Sequence, residues 1–585
     1  MRIWDLRRGD NDDNRSSPYG GGLRGLVLST LLEFNYLKAP LSFLVLILGP
    51  ALLVGIAPSV VFTYGRLLLR STAVAGSTLL AELGFLAILV VAALWMGRRF
   101  LAAALLKVHH LHYILVFPIF VALREVLRAI GERFGSRPVA PEQLALRRRL
   151  GAVLAALLFA IAGLALALTV EVSTGFKLLD VEHASLWDDF KAALGNAAVI
   201  LGLSTVVESL YWLWRELTLS SPVLDWVPGP SQAGASVLRV AHLSDLHLVG
   251  ERYGYRMETG THGPQGNGRF RDALGKLAAI HEQTPLDRIL VTGDITDAGT
   301  RAEWAEFIDL IRGYHELRER LSFVPGNHDV NIVDRTNPGR LDLPRSAGPA
   351  LRKLRFILAL DAVQGDRARV VDHASGSLGP SLREYLRQGK RVELLRDLAQ
   401  RGAMRGRSEI AKVWDGMFPL VEPARAEDGC GLILLDSNAP SNFSLTNAIG
   451  VVNPAQMRAL TLVLRNSPGR AWIILLHHQV VEYPVLSIQL RERIGLALVN
   501  APDVLAAMAP YASRVLVLHG HRHRDWIGSC GGVVLCSAPS VALDSAGVEE
   551  HRGSFHIREL TLGPGGDIRL AATRRVLVAD HCRVR

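Results

Sequence analysis

Four long apolar runs in the first 220 residues constrain the fold of this chain most strongly. A helix needs about 20 apolar residues to cross a bilayer, and the runs at 41–65, 78–97, 150–170 and 196–214 are close to that length. A buried helix of a soluble protein is the alternative for any single run. Four runs in succession favour membrane-spanning helices, so we predict a membrane domain over 37–219 behind a polar N-terminal tail at 1–36.

Charges between the runs predict the orientation of these helices. The segment 123–149 is rich in arginine and 171–195 is mostly acidic, and basic loops stay on the cytoplasmic side. A fifth apolar stretch, 101–122, is interrupted by Lys107 and three histidines. If it crossed the membrane, a pair of arginines would have to be translocated. We therefore interpret it as interfacial or re-entrant, with its histidines either polar interfacial residues or a second metal or haem site.

The expected arrangement is thus a multi-pass protein of the cell (inner) membrane with four spans and both termini in the cytoplasm. Glu208 falls inside the last run, where a charge costs about 2.5–3.5 kcal/mol on insertion scales, and intramembrane acids are often functional. No cleavable signal peptide is expected, because the first 35 residues are polar and rich in glycine. Four cysteines without a CxxC spacing fit a reducing compartment.

The sequence that follows residue 219 alternates apolar and polar residues as a globular domain does. A segment rich in proline, glycine and serine at 220–236 predicts a linker, and the domain follows over 237–585. Five apolar, strand-like runs within it each end in polar residues of the same few types. The tips are Asp245 and His247 in "VLRVAHLSDLHL", Asp294 in "DRILVTGD", Asn327 and His328 in "LSFVPGNHDV", His477 and His478 in "AWIILLHH", and His519, His521 and His523 in "VLHGHRHRDW".

Such tips favour a metal site. A strand that ends in one Asp or His is usually only a strand that meets solvent, but five such ends are a specific pattern. Side chains two positions apart on a strand share a face, so Asp245 and His247 can reach one ion. In sheets built from β-α units, ligands bind beyond the carboxyl ends of the strands. Carboxylates mixed with imidazoles suit two divalent ions such as Mn²⁺, Fe²⁺ or Zn²⁺.

The ordered series D-x-H, G-D, G-N-H-D, H and G-H-x-H resembles the calcineurin-like metallophosphoesterase superfamily over about residues 237–545. The resemblance implies an α/β domain, a four-layer sandwich of two mixed β-sheets flanked by helices, here preceded by the α-helical transmembrane domain. It also implies that Asp245, His247, Asp294 and His523 hold one metal. Asp294 would bridge to a second metal held by Asn327, His477 and His521.

The same resemblance implies that His328 protonates the leaving group or stabilises the transition state, and that Asn327 and His328 contact substrate. The choice of His477 over His478 follows the position of the ligand in the family, and His519 matches no ligand. His262 lies in a Gly-rich stretch at 251–270 that follows the first motif, so we also expect it near the substrate.

Two further segments carry predictions. The segment 331–428 is net basic and shows helical periodicity, so we expect a helical insertion there. It forms either a solvated helical face, or a lid or membrane-facing surface that collects anionic substrate or lipid headgroups. A hairpin that turns at "GPGG" within 555–578 should complete a sheet.

These features predict a membrane-anchored hydrolase that uses two divalent metal ions to cleave a phosphomonoester or phosphodiester, such as a cyclic nucleotide or a lipid-linked phosphate. The alternative is a membrane sensor or scaffold whose phosphoesterase domain binds a nucleotide or lipid without turnover. A transport role for Glu208 would call for more intramembrane polar residues. The net charge of +10 over 585 residues gives no strong case for nucleic acid, and nothing indicates the oligomeric state.

Overall fold

A computed structural model describes residues 44, 48–57, 117–133, 141–174, 186–218, 236–250, 256–257, 264–265, 267–331, 347–401, 404–425, 429–439, 448–481, 498–542 and 553–578. These residues fall into two compact units, a helical unit that ends at Thr218 and an α/β unit that begins at Ser236. The N-terminal tail, the run 78–97, most of the linker and His262 lie outside the described residues.

The helical unit contains three long helices: α1 (Phe117–Arg133), α2 (Pro141–Thr174) and α3 (Leu186–Thr218). Residues 49–57, inside the first predicted span, are also helical. Among the residues that the structure describes, two segments are long and apolar enough to cross a membrane, Leu146–Ser173 and Trp187–Thr218. They contain the predicted spans 150–170 and 196–214. The prediction that these two segments are α-helical is confirmed, whereas their crossing of a membrane stays a prediction.

Small residues pack α2 against α3. A Cβ placed on Gly163 would lie 2.6 Å from the carbonyl oxygen of Gly202, and a Cβ on Gly202 would lie 2.6 Å from that of Gly163. Only glycine at both positions lets the two backbones approach this closely. The alanines of α2 at 152, 155 and 156 are buried, while its large side chains point outward, with Ile161 63% exposed. Buried small residues and exposed large apolar ones are the packing pattern of helices in lipid.

Ion pairs join the three helices near one end of the apolar segments. Glu216, in the last turn of α3, accepts hydrogen bonds from Arg124 of α1 and from Arg148 of α2. Glu125 in turn lies 2.9 Å from Arg124 and 3.6 Å from Arg128. The carboxylates are buried, and each faces at least one guanidinium, which offsets the cost of removing it from water.

The α/β unit alternates strands and helices. Its strands are β1 (Ser236–Leu243), β2 (Arg256–Met257), β3 (Pro264–Gln265), β4 (Arg288–Val291), β5 (Leu321–Phe323), β6 (Arg369–Val371), β7 (Leu378–Ser381), β8 (Leu420–Glu422), β9 (Cys430–Leu434), β10 (Ala471–Leu475), β11 (Val515–His519), β12 (Trp526–Cys530), β13 (Val533–Ser537), β14 (Ser554–Leu562) and β15 (Ile568–Leu577). Its helices are α4 (Gly268–Gln283), α5 (Arg301–Arg312), α6 (His315–Arg320), α7 (Asn327–Val330), α8 (Ala347–Gln364), α9 (Leu382–Arg387), α10 (Arg391–Arg401), α11 (Met404–Met417), α12 (Pro454–Asn466) and α13 (Ala501–Met508), followed by a 3₁₀ segment at Ala509–Arg514.

Among the described strands, β2 and β3 pair with each other, and the other strands form two mixed sheets, which confirms the predicted fold class. One sheet has the order β15-β14-β1-β4-β5 and the other the order β12-β13-β11-β10-β9-β8-β6-β7. Strands β1, β4 and β5 are parallel, as are β9, β10, β11 and β13. Fully buried strands with continuous apolar runs, such as "AWIIL" and "VLVLH", are what a parallel sheet covered on both faces requires.

Local sequence signals correspond to the observed ends of elements. A capping box opens α5: the Thr300 hydroxyl accepts from the Glu303 backbone N–H, and the Glu303 carboxylate accepts from the Thr300 backbone N–H. The predicted C-terminal hairpin is also confirmed, because β14 and β15 pair antiparallel across the "GPGG" turn. Through β14, which pairs with β1, this hairpin extends the first sheet.

The segment 331–428 contains helices α8 to α11 and also three strands of the eight-stranded sheet, β6, β7 and β8. Helix α8 contributes Leu354, Phe356 and Leu360 to the hydrophobic core, where all three are at most 3% exposed. The segment is therefore part of the packed domain, and its helices are not simply a solvated face.

Candidate metal centre

The carboxyl ends of the parallel strands in the two sheets meet at one place. The loop after β1 pairs with the loop after β4, since Asp245 N donates to Gly293 O at 3.1 Å and His247 N donates to Asp294 O at 3.0 Å. From the other sheet, Gly520 N after β11 donates to His477 O after β10. The five motif-bearing strand ends thus converge, as expected for the strand edge at which α/β folds bind ligands.

Backbone conformation singles out the same residues. Among the described non-glycine residues, five have a positive φ: Asp245 at 55°, His247 at 45°, Asp294 at 51°, His521 at 71° and His523 at 51°. A left-handed conformation costs a non-glycine residue about 1–2 kcal/mol. Such strain persists where the surrounding structure imposes it and clusters at functional sites. All five positions were predicted as metal ligands from the sequence.

The first group of potential ligands contains Asp245, His247 and His523. His523 Nε2 lies 3.1 Å from Asp245 Oδ1, and His247 Nε2 lies 3.9 Å from the same oxygen. All three side chains are buried. One carboxylate oxygen and two imidazole nitrogens therefore face a common point.

The second group contains Asp294, His477 and His521, with the amide of Asn327 beside them. His477 Nε2 lies 3.0 Å from Asn327 Oδ1 and 3.2 Å from Asp294 Oδ2. His521 Nδ1 lies 3.1 Å from Asn327 Oδ1 and 3.1 Å from His477 Nε2. Asp294 Oδ2 also lies 4.0 Å from His247 Nε2 of the first group, so this carboxylate faces both groups.

The electrostatics of the two groups are those of a site for cations. Burial alone would raise the pKa of Asp294, yet the imidazoles of His477 and His328 hold that pKa below its ordinary value. Burial alone would also raise the pKa of Asp245, but the neighbouring His523 holds that pKa below its ordinary value. Buried ionised carboxylates whose oxygens converge with ring nitrogens and an amide oxygen match the donor set of divalent transition metals. The residues therefore fit two such ions.

His328 lies beside these groups and is fully buried. Its backbone N–H donates to Asp294 Oδ1 at 2.8 Å, and its Nδ1 lies 2.8 Å from the carbonyl oxygen of Asp297. With Nδ1 protonated against that carbonyl, Nε2 is left on the far side of the ring. The imidazole also contacts His247 edge to face, with ring centroids 4.6 Å apart.

Two carboxylates of the site were not assigned from the sequence. Asp297 Oδ1 lies 3.6 Å from His247 Nδ1 and 3.9 Å from His328 Nδ1. Asp329 accepts from the backbone of Gly326 and from both the backbone and the hydroxyl of Thr296. Asp297 follows Asp294 by three residues and Asp329 is the last residue of the G-N-H-D motif, so their position was a usable signal. Asp329 joins the second motif loop to the third.

Close backbone approach explains a glycine in the second motif. Gly293 has φ +95°, and a Cβ there would lie 2.6 Å from His477 Nδ1. A side chain at this position would therefore be strained and would displace a potential ligand.

The remaining histidines of the motifs belong to neither of the two groups, although the ring centroid of His478 lies 4.4 Å from that of His521. His478 contacts the Ser437 hydroxyl at 2.9 Å through Nδ1. His519 is the last residue of β11, where burial lowers its pKa to about 3. Neither belongs to a group of potential ligands among the described residues.

Part of this unit matches the model of a described family. Residues 238–402 match the family model described as calcineurin-like phosphoesterase. A protein of Coxiella burnetii named as a probable cyclic nucleotide phosphodiesterase is 27% identical over 130 residues, which are 22% of this chain and 47% of that protein. The chain thus spans about half the length of the curated relative that it matches.

Solved structures also resemble this chain. A dimetal phosphatase from Danio rerio aligns with 12% identity and a TM-score of 0.32, over 58% of this chain and 99% of that one. A putative 5'-nucleotidase from Staphylococcus aureus aligns with 12% identity and a TM-score of 0.31, over 60% of this chain and 56% of that one.

Proposed function

We propose that this chain, which carries a calcineurin-like phosphoesterase domain, is a hydrolase that cleaves a phosphate monoester or diester and depends on two divalent cations. The observation that carries the proposal is the convergence of two ligand groups on the carboxylate of Asp294, which faces His247 on one side and His477 on the other. One shared carboxylate between two imidazole-bearing groups is the arrangement that a dinuclear centre requires.

Each proposed ion has its own set of residues. Asp245, His247 and His523 would hold one ion, Asn327, His477 and His521 would hold the other, and Asp294 would contribute to both. When bound, two divalent cations lower the pKa of a shared water and offset the negative charge of a phosphate group. The ions would be Mn²⁺, Fe²⁺ or Zn²⁺, the metals that suit mixed carboxylate and imidazole ligands.

His328 is the proposed general acid. An imidazole with an unperturbed pKa of about 6.5 can donate a proton near neutral pH, and the contact of Nδ1 with Asp297 O orients the ring beside the two ligand groups. Acid catalysis matters most when the leaving group is a poor one. A His328→Gln variant should therefore lose more activity on phenyl phosphate esters than on p-nitrophenyl esters. An equal loss on both would contradict the assignment.

The direct test uses purified full-length chain, Mn²⁺ and bis-(p-nitrophenyl) phosphate or its monoester. Asp294→Ala should abolish hydrolysis, because it removes the carboxylate shared by both ligand groups. Asp361→Ala is the matched control, since Asp361 pairs with Arg383 on the α/β unit away from the motifs. If wild type and Asp294→Ala were equally inactive with every metal, hydrolysis would be refuted and a binding-only sensor would take its place.

We further propose that the helical unit anchors the enzyme in the inner membrane, with the domain boundaries 1–36, 37–219, 220–236 and 237–585. Two apolar helices that bury small residues and expose large ones support this. The arginines of the ion-pair cluster lie near one end of those helices, which supports a cytoplasmic position for that end. Vesicle-reconstituted chain that alkaline carbonate extracts completely would refute the anchor.

The substrate that we would test first is a cyclic nucleotide, a phosphodiester class named for the Coxiella burnetii relative. A lipid-linked phosphate is the second class, supported by the apolar helices and the basic segment 331–428. Turnover of cyclic AMP in detergent, set against turnover of a lipid phosphate in mixed micelles, separates the two classes. Asn327 and His328 are the proposed substrate contacts, with His262 proposed only from its sequence position.

A further inference from the structure

A buried arginine connects the two sheets behind the metal centre. Arg558 of β14 is 0% exposed. Its Nε donates to His242 Nδ1 at 3.3 Å, and its Nη2 donates to Ser537 O at 2.9 Å and to His556 Nδ1 at 3.3 Å. Its Nη1 donates to the Thr573 hydroxyl at 3.2 Å. Among the described residues, all of these acceptors are uncharged, although a buried charge is usually stabilised by an opposite one.

The guanidinium fixes the proton positions on His242 of β1. Arginine can only donate, so Nδ1 of His242 accepts and the ring proton lies on Nε2. That Nε2 lies 3.1 Å from the Thr292 hydroxyl and donates to it. The hydroxyl can then direct its own proton to Leu243 O, at 3.3 Å. Burial and the neighbouring Arg558 both lower the pKa of His242, which keeps the ring neutral.

This chain of hydrogen bonds reaches a predicted metal ligand through Thr292. The carbonyl oxygen of Thr292 accepts from His477 Nδ1 at 2.7 Å. Because a carbonyl oxygen can only accept, the proton of His477 lies on Nδ1, and the lone pair of Nε2 faces the ligand group around Asn327. The position of Thr292 therefore determines both the tautomer and the orientation of His477.

On its other side, Arg558 fixes His556 in the same manner. Because Nδ1 of His556 accepts from the guanidinium, its Nε2 carries the proton and donates to Asp525 Oδ2 at 3.0 Å. Asp525 follows His523 by two residues, in the loop that also carries His521. One guanidinium thus connects the loop after β11 with the loop after β4.

We propose that Arg558 is a positioning residue for the metal centre, acting through two oriented chains of hydrogen bonds: His242 to Thr292, and His556 to Asp525. We call these residues the Arg558 network. It holds the proton of His477 on Nδ1 and the loop of His521 and His523 in place before any cation binds. Arg558 lies outside residues 238–402, which match the family model. The inference rests on the proposed metal centre.

The test compares two buried arginines of the same sheet. Arg288 of β4 and Arg558 of β14 both pair with Val240 of β1, and both are at most 2% exposed. Arg288 instead lies 3.6 Å from Glu422, outside the network. Isothermal titration of Mn²⁺ alone into the detergent-solubilised full-length chain gives the affinity of wild type, Arg558→Met and Arg288→Met. Urea unfolding in EDTA gives the stability of each.

Arg558→Met should weaken Mn²⁺ binding by about 10–100-fold, the usual effect of removing a residue that orients a metal-bound histidine. Arg288→Met should keep the wild-type affinity even where it loses stability. Equal affinity losses in the two variants, or wild-type affinity in Arg558→Met, would overturn the inference. A wild type that binds no Mn²⁺ would refute the metal centre itself, which is a different result.

A second pair of variants covers the case in which Arg558→Met does not fold. The Asp525 side chain is 30% exposed, so shortening it removes little buried surface, although the buried His556 Nε2 loses its acceptor. Asp525→Ala removes the acceptor of His556 and should weaken Mn²⁺ binding, whereas Asp525→Asn keeps an acceptor oxygen and should restore most of the affinity. If Asp525→Ala bound Mn²⁺ like the wild type, or Asp525→Asn bound it as weakly as Asp525→Ala, the network would have no positioning role.

Discussion

The strain at the metal centre can be measured by replacing one predicted ligand with glycine and with alanine. His521 has φ +71°, a conformation that costs a residue with a Cβ about 1–2 kcal/mol. Glycine avoids that cost but loses about 0.5–1 kcal/mol through its greater freedom in the unfolded chain. At this position, His521→Gly should therefore be more stable than His521→Ala by up to about 1 kcal/mol.

The assay is urea unfolding of the metal-free, full-length chain in detergent, followed by tryptophan fluorescence in the presence of EDTA. His519 is the matched control, because it is also a buried histidine of the same segment and is not among the positive-φ residues. There the order should reverse, with His519→Ala more stable than His519→Gly. If alanine were the more stable replacement at both positions, the argument that the ligands are held in a strained backbone would be refuted.

Two further predictions concern other parts of the chain. Burial, with a contribution from Asp297, raises the pKa of Glu303 from 4.5 to about 7. The folded state thus binds more protons than the unfolded state between these values. The contribution of Glu303 to the free energy of unfolding is therefore fully present below pH 4.5. It is lost, by at most about 3 kcal/mol, as the pH rises through 7. Because glutamine does not titrate, the unfolding free energy of Glu303→Gln minus that of wild type should grow as the pH rises from 4.5 to 7. A difference that stays constant with pH would contradict the assignment. In the helical unit, Gly202→Leu should lower the thermal midpoint in detergent sharply, because a Cβ there meets Gly163 O at 2.6 Å. Leu203→Ala, at an exposed neighbour, should be tolerated, and equal effects of the two changes would refute close packing at Gly202.

Much of the α/β unit was predictable because its information is local. The runs "RVAHL", "RILV" and "VLVLH" are apolar segments followed within three residues by Asp or His, and each became a buried strand with its polar residues at the carboxyl end. The capping box at Thr300 is also a four-residue signal. In these places the propensity of a short segment agrees with the environment that the whole fold provides.

Other features depend on contacts between distant residues and could not be derived this way. Arg558 lies in "SFHIREL", which reads as an ordinary strand, and its partners come from β1, β13 and β15. Strands β6 and β7 are only three and four residues long. The pairing of β6 with β8 and of β7 with β6, rather than propensity, makes them strands. The positive φ values at the predicted ligands likewise arise from loops that constrain one another.

The helical unit also has some features that local sequence predicts and others that depend on contacts between distant residues. Hydropathy alone predicted helices at 150–170 and 196–214, because a long apolar run is a local property. Which faces of these helices pack together was not predictable, since it depends on where Gly163 meets Gly202. The ion pairs around Glu216 join α1, α2 and α3 across more than 60 positions in sequence.

The central claim is that the side chains after five strands bind a pair of cations, and metal content tests it most directly. Full-length chain should be loaded with Mn²⁺, freed of excess by dialysis, and measured by elemental analysis against protein concentration. The account predicts two Mn²⁺ ions per chain in the wild type, and fewer after either His523→Ala or His477→Ala. A wild-type chain that retains one ion or none under saturating conditions would contradict it.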